Sequence, residues 1–242
     1  MVNHYIYITF LTSLLIFSSQ VFAQTSKSKL SLWSGKTSIG YLATSGNTEN
    51  KTLNTGFELG YTVNNITHLA ELFAINASES DTTSAEAYVL RWKSERRLSD
   101  QNFLFGRLQW RKDRFGGYST QFSQTIGYGN QLIDNNNHKL NAEIGAGARQ
   151  SETQLGIEDQ EIVGRFGLYY RWQFSDTAEF RQNLTTEVGK INTFSESLTS
   201  ISAKLIGDLA LVASYTIKNN SDVPILIKKT DTYTALSVEY LF

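Results

Sequence analysis

Alternation with a period of two runs through nearly the whole chain after residue 32, and no other feature limits its fold as strongly. Leu53, Thr55, Phe57, Leu59, Tyr61 and Val63 alternate with Asn54, Gly56, Glu58, Gly60 and Thr62. Leu140, Ala142, Ile144, Ala146 and Ala148 alternate with Asn141, Glu143, Gly145 and Gly147. Phe166, Leu168, Tyr170, Trp172 and Phe174 repeat the pattern, as do Leu209, Leu211, Ala213, Tyr215 and Ile217. Successive side chains of a strand point to opposite faces, so each segment is a strand with one apolar face. The pattern predicts about twelve strands, over 33–45, 52–64, 66–78, 84–97, 102–113, 118–133, 138–151, 161–174, 178–189, 196–207, 209–219 and 230–242. In the third, both faces are partly apolar. The fifth changes phase near Phe105 and Gly106, where a bulge is expected.

The connections alternate in length. SGNTENK, SESDTT, RFGGYS, ETQLGIEDQ, KINTFS and KNNSDVPILIKK are longer; NN, SDQ, DNNN, SDTA and GD are tight turns. A soluble sandwich has no reason to keep such a rhythm, whereas a membrane barrel has short periplasmic turns and longer outer loops. The expected fold class is therefore all-β: a transmembrane antiparallel up-and-down β-barrel of about twelve strands. The single proline, Pro224, falls in the last long connection, as a ladder of central strands requires. The chain closes on SVEYLF, with Val238, Tyr240 and Phe242 on one face. Aromatic rings favour the membrane interface, and the last strand of a barrel has to pair with the first. This ending also resembles the signal by which bacterial outer-membrane barrels are recognised for assembly. An ordinary terminal strand of a soluble sheet is the plainer alternative.

Residues 1–23 read as a secretory signal peptide: an apolar run from Tyr5 to Phe17, too short for a membrane helix, precedes Val21-Phe22-Ala23. An N-terminal anchor is the alternative. Cleavage before Gln24 leaves 24–32 as a short periplasmic segment and 33–242 as the barrel, in the outer membrane of a Gram-negative bacterium. The absence of cysteine rules out disulfides, thiolate metal sites and a lipoprotein anchor. With 22 Lys+Arg against 23 Asp+Glu the chain lacks the basic surplus of a nucleic-acid binder. No cofactor is expected. The expected partners are outer-membrane lipid and lipopolysaccharide, the barrel assembly machinery and small ions or solutes, around a monomer.

If the apolar face meets lipid, chemistry lies in the lumen or the loops. The alternate residues include Glu58, Arg91, Lys93, Glu95, Arg107, Arg111, Glu143, Arg149, Arg171, Glu179, Arg181, Lys204 and Glu239. Arg and Glu on facing strands predict a ladder of ion pairs. It either satisfies a packed interior or lines a path for small solutes, anions among them. Glycines at 127, 129, 145 and 147 remove bulk from the lumen, leaving open volume or making room for a neighbouring side chain. A hydrolase is disfavoured: His68 and His138 adjoin predicted periplasmic turns, where a lone histidine is usually solvated. No G-x-S-x-G or H-x-x-x-H occurs. Glu79, Asp81, Glu158, Asp159 and Glu161 read as solvated loop charge, or as loose Ca²⁺ or lipopolysaccharide contacts.

The stretches GYLATSGNTENKTLN (40–54), LFGRLQWRKDRFGGY (104–118), GYGNQLIDNNNHKLNAEIGAG (127–147), YRWQFSDTAEF (170–180) and NNSDVPILIKKTDT (219–232) together resemble the YdiY-like family of salt-induced outer-membrane proteins. The resemblance implies an outer-membrane barrel with a link to salt or osmotic stress, and it supplies no solute, reaction or catalytic residue. Three motifs within them, Thr44 to Thr48, Asp113 to Tyr118 and Lys228 to Thr232, fall in expected outer loops or their strand junctions. There Asp113, Arg114, Lys228, Lys229 and Asp231 are candidates for an ion-paired cap over the outer mouth. The expected function is a narrow channel or envelope protein of salt adaptation; a non-conducting structural or adhesive barrel acting through its loops is the alternative.

Overall fold

A computed structural model of the chain describes residues 32–44, 50–79, 82–225 and 227–242. The expected signal peptide lies outside the described residues, as does the periplasmic segment apart from Leu32. Twelve strands follow in order: β1 (Trp33–Thr44), β2 (Asn50–Val63), β3 (Ile66–Glu79), β4 (Thr82–Arg97), β5 (Asn102–Asp113), β6 (Tyr118–Asp134), β7 (His138–Thr153), β8 (Glu158–Gln173), β9 (Ala178–Gly189), β10 (Thr193–Ile206), β11 (Leu209–Asn220) and β12 (Thr230–Leu241). Each pairs antiparallel with its neighbours in sequence, and β12 returns to β1, so the sheet closes into a barrel. At the seam Lys36 lies opposite Leu241 and Gly40 opposite Ser237. Gly35 and Phe242 exchange two backbone hydrogen bonds, of 2.8 and 2.9 Å. Closure matters because an open edge would leave unpaired N–H and C=O groups in hydrocarbon.

Local chemistry explains the turns. Asn64 (φ 53°) and Gly207 (φ 55°) take left-handed backbone in the two-residue connections β2–β3 and β10–β11, where tight hairpins need it. In the Asn-rich turn between β6 and β7, Asn135 Oδ1 accepts from the backbone N–H of Asn137 (3.0 Å) and His138 (2.7 Å). The connections at the opposite end from the chain termini are shorter than expected, because the strands run on into them. β3 and β4 are separated by residues 80–81 alone, and β7 and β8 by 154–157. The connection 221–229, which holds Pro224, is the longest.

The period-two faces resolve as an apolar exterior and a polar interior. Ile39, Tyr41, Leu72, Leu90, Trp92, Ile126, Ile144, Phe166 and Leu184 are all exposed on the outside. Val238, Tyr240 and Phe242 share that face. In β3 the ambiguity is settled by register: Glu71 is paired with Glu58 and Arg91, so Leu69, Glu71, Phe73 and Ile75 face inward and His68, Ala70 and Leu72 outward. The expected bulge in β5 is absent. Its register with β4 and β6 is continuous. The phase change arises because the interior face is itself aromatic there: Phe103 and Phe105 point inward and are buried. Register shifts occur instead at Ala77/Ser78, Tyr118/Thr120, Gln131/Ile133 and Lys204/Ile206.

Near the end that carries the termini, aromatic rings form rows across the outer surface. Trp33 and Tyr61 lie 4.4 Å apart, and His68 stacks between Tyr61 (6.5 Å) and Trp92 (6.0 Å). A second row joins His138 to Tyr170 (6.1 Å) and Trp172 (5.9 Å). Such rows are the girdles of membrane barrels.

Candidate functional site: the barrel lumen

The interior divides into a filled side and an open side. The filled side is built by β4 to β9. Glu143, fully buried on β7, accepts from Arg165 on β8 at 2.8 Å and from Lys93 on β4, reaching past β5 and β6. Lys93 also pairs with Glu95 (2.5 Å) and lies 5.3 Å from the ring centroids of both Phe105 and Tyr169. A second cluster centres on Glu187 of β9, which meets Arg111 and Arg149, each at 3.4 Å, and accepts from Ser123 at 3.2 Å. Arg149, with no exposed surface, is also held by Glu161 (2.6 Å) and by the backbone carbonyl of Asn192. The Arg111 guanidinium rests 3.7 Å over Phe194. An ion stripped of water costs several kcal/mol; each of these buried cations has a carboxylate partner, while Arg111 Nε and Nη1, Arg149 Nε and Arg165 Nε make no hydrogen bond.

The glycines decide how this side is filled. A Cβ on Gly129 would meet the Phe103 ring, and one on Gly127 or Gly145 the Phe105 ring. The bulk removed from β6 and β7 is thus taken up by two phenylalanines lying flat against the wall.

The open side is built by β1 to β3 and β10 to β12. A cavity of about 230 Å³ runs along it, lined by small polar residues such as Ser38, Asn54, Ser200, Ser214 and Ser237 and by apolar ones such as Phe73, Ile75, Val89, Leu198 and Val212, with Glu179 and Arg181 of β9. Asn54 and Ser237 meet across the seam at 2.8 Å, above Gly40. Lys36 lies 3.5 Å from Glu58 and 3.4 Å from Glu239. Arg91 spans the lumen from β4 to Glu196 on β10 (2.7 Å), with Gln109 at 3.0 Å and Glu71 at 3.8 Å. A second space, of about 310 Å³, opens at the loop end, and Ile75 and Tyr233 line both. Tyr233 and Asp113 of β5 both line the second space. Ile75 and Tyr233 thus stand where the two spaces adjoin, and Arg91 and Glu196 line the first.

The predicted ion pairs therefore form, but as separate clusters, and the alternation in sequence did not single out half of the partners. Lys36, Glu71, Glu161, Arg165, Glu187 and Glu196 complete them. Arg165 and Glu187 carry the same parity as Gly167 and Arg181, and that signal was available. Glu161 is no loop carboxylate: it belongs to β8. Arg107 bonds the Gln109 amide, and Arg171 (3.0 Å) and Arg181 both pair with Glu179.

The expected cap is not assembled as one ion-paired group. Asp113 folds back to accept from Phe115 (3.1 Å) and Gly116 (2.9 Å), Arg114 turns to Glu86 (3.0 Å), and Lys229 donates to the carbonyl of Ser221 (2.6 Å). Lys228 is exposed. Asp113 and Asp231 do reach the same vestibule. The short connections leave each charge nearer to its own turn than to the mouth.

His68 and His138 are not solvated at turns but half-buried in the exterior aromatic rows. Their Nδ1 atoms contact Ser94 Oγ (2.6 Å) and the Tyr170 hydroxyl (2.8 Å). Among the described residues no carboxylate orients the His68–Ser94 pair, and no group of three or more His, Cys, Asp or Glu is placed to hold a metal ion.

The fold matches solved membrane barrels at low sequence identity. The COG4313 outer membrane channel from Pseudomonas putida F1 aligns with a TM-score of 0.51 at 10% identity, covering 87% of this chain and 95% of that one. The translocator domain of autotransporter NalP from Neisseria meningitidis aligns at 0.48 and 13% identity, covering 87% and 88%. In sequence, the uncharacterized protein YdiY of Escherichia coli (strain K12) is 29% identical over 207 residues, 85% of this chain and 82% of the relative. The family described as a protein of unknown function, DUF481, matches residues 37–242, and the chain belongs to that YdiY-like family.

Proposed function

We propose that the chain is a narrow channel of the bacterial outer membrane, whose path follows the open side of the lumen. The observation that carries this is the cavity of about 230 Å³ beside a filled half-lumen, which shares Ile75 and Tyr233 as lining with the vestibule at the loop end. A barrel kept solely for structure has no need of a serine-lined space on one side. In this reading the termini lie in the periplasm, Val238, Tyr240 and Phe242 serve assembly, and the monomer meets lipid and lipopolysaccharide through its apolar exterior. A role in adapting the envelope to salt rests on the family resemblance. The activity is passage rather than catalysis.

Of the arginines that favoured anions in sequence, Arg91 and Arg181 line this path, each paired with a carboxylate. Arg111, Arg149 and Arg165 are buried on the filled side and neutralised by Glu187, Glu161 and Glu143. The path instead carries mixed charge, which predicts weak discrimination between simple ions.

The Arg91–Glu196 bridge favours a second reading, a barrel closed at rest. Single-channel recording of the refolded protein in a planar bilayer in potassium chloride separates the two. Discrete steps are expected, and larger ones after Glu196→Gln, which frees Arg91 to fold back beside Glu71. An inserted barrel silent in both forms refutes the channel.

A further inference from the structure

The lining of the open path is unbalanced in opposite senses on its two walls. On β12, β1 and β2 the carboxylates of Glu239 and Glu58 share a single lysine, Lys36, and Glu71 follows on β3. Glu58 and Glu71 are direct cross-strand partners. Like charges in that position are unfavourable unless something between them compensates. Arg91, opposite Glu71 on β4, is divided between Glu71 at 3.8 Å and Glu196 at 2.7 Å, so it compensates this wall only in part. Both carboxylates keep about a third of their side-chain surface free, 34% and 33%.

The opposite wall reverses the imbalance. On β8 and β9 two guanidiniums, Arg171 and Arg181, share one carboxylate, Glu179, and are 39% and 41% exposed; Arg181 and Glu179 line the cavity, with Arg171 beyond its lining. In the strand order β2 lies across the barrel from β8, and β3 across from β9. Glu58, Glu71 and Arg181 all line the same cavity. A field therefore runs across the path rather than along it, from the β8–β9 wall to the β1–β3 wall. Low-dielectric walls concentrate such a field.

Resting on the channel reading above, we infer that this cavity binds small zwitterions, molecules carrying an ammonium and a carboxylate on one short chain. An ammonium meets Glu58 and Glu71 while the carboxylate meets Arg181. A singly charged solute of the same length satisfies one wall and gains nothing at the other. An inorganic ion meets compensating charge on both sides. The transverse arrangement thus discriminates by dipole, not by net charge.

The test is binding of 4-aminobutyrate to the refolded full barrel in neutral detergent by titration calorimetry, with butylamine and butyrate as singly charged controls. The expected result is that each control binds at least about tenfold more weakly. Glu58→Gln/Glu71→Gln and Arg181→Gln, one variant for each wall, both abolish the preference, with folding checked by mobility on unheated gels. If the acidic-wall variant does not fold, Arg181→Gln and the comparison of the three ligands decide. Equal binding of all three ligands, no binding of 4-aminobutyrate, or a preference that survives in a folded variant overturns the inference. Calorimetry needs no conduction: a silent barrel that still prefers 4-aminobutyrate refutes the channel alone, and a conducting one without the preference refutes this inference alone.

Discussion

Glu143→Gln is the most direct test of how the filled side is held together. The Glu143 side chain is 1% exposed, that of Arg165 0% and that of Lys93 15%, so solvent screens little of the interaction. The carboxylate accepts from Arg165 Nη1 at 2.8 Å and from Lys93 Nζ across three strand positions. The amide preserves the shape but leaves Arg165 without its counter-charge and Lys93 with Glu95 alone, and presents one of them with an N–H₂ group. Two charge-assisted hydrogen bonds at about 1.5–3 kcal/mol each agree with the about 3–5 kcal/mol lost when one partner of a buried pair is removed. Urea unfolding in micelles, followed by tryptophan emission, should show that loss as a lower midpoint at unchanged slope. The loss should barely respond to added salt, because buried pairs are weakly screened. Replacing all three residues together, Lys93→Met, Glu143→Leu and Arg165→Met, should recover most of it. A loss for Glu143→Gln below about 1 kcal/mol, the range of exposed ion pairs, would refute the claim that this cluster is dry and cross-braces the lumen.

Two further outcomes follow from the wall and the seam. Gly147→Ala places a methyl group against the backbone carbonyl of Gln124 on β6, where no side chain can yield. It should lower stability by about 1–3 kcal/mol, the cost of overpacking, in the same unfolding assay. Phe242→Ala removes the ring that covers Gly35 and packs 6.5 Å from Phe57 and 6.2 Å from Tyr240. It should slow folding into lipid vesicles, read from the unheated gel, with little effect on the lumen.

The sequence by itself determined the strands and their faces. Alternation places β5 at Asn102–Asp113 and β9 at Ala178–Gly189 as predicted, because a sheet between lipid and a polar interior leaves a period-two imprint on nearly every segment. Closure was legible too, since an apolar strand ending in Tyr240, Leu241 and Phe242 has no other place for its edge. The bulge expected in β5 failed because periodicity records only which side a residue faces, and both sides of a strand are apolar where the lumen is filled by Phe103 and Phe105. The lengths of the loop-end connections failed because polar residues at a strand end look the same whether paired or free. What the tertiary structure alone decided is which charges meet. Lys93 reaches Glu143 three strands away, Arg111 reaches Glu187 four away and Arg91 reaches Glu196 six away. No local spacing encodes such partners: they depend on strand tilt and on which side of the lumen the glycines let the aromatic rings occupy. The same physics separates the buried arginines from the open cavity, so a lumen that reads in sequence as an arginine ladder is, in three dimensions, a braced half beside a more open one.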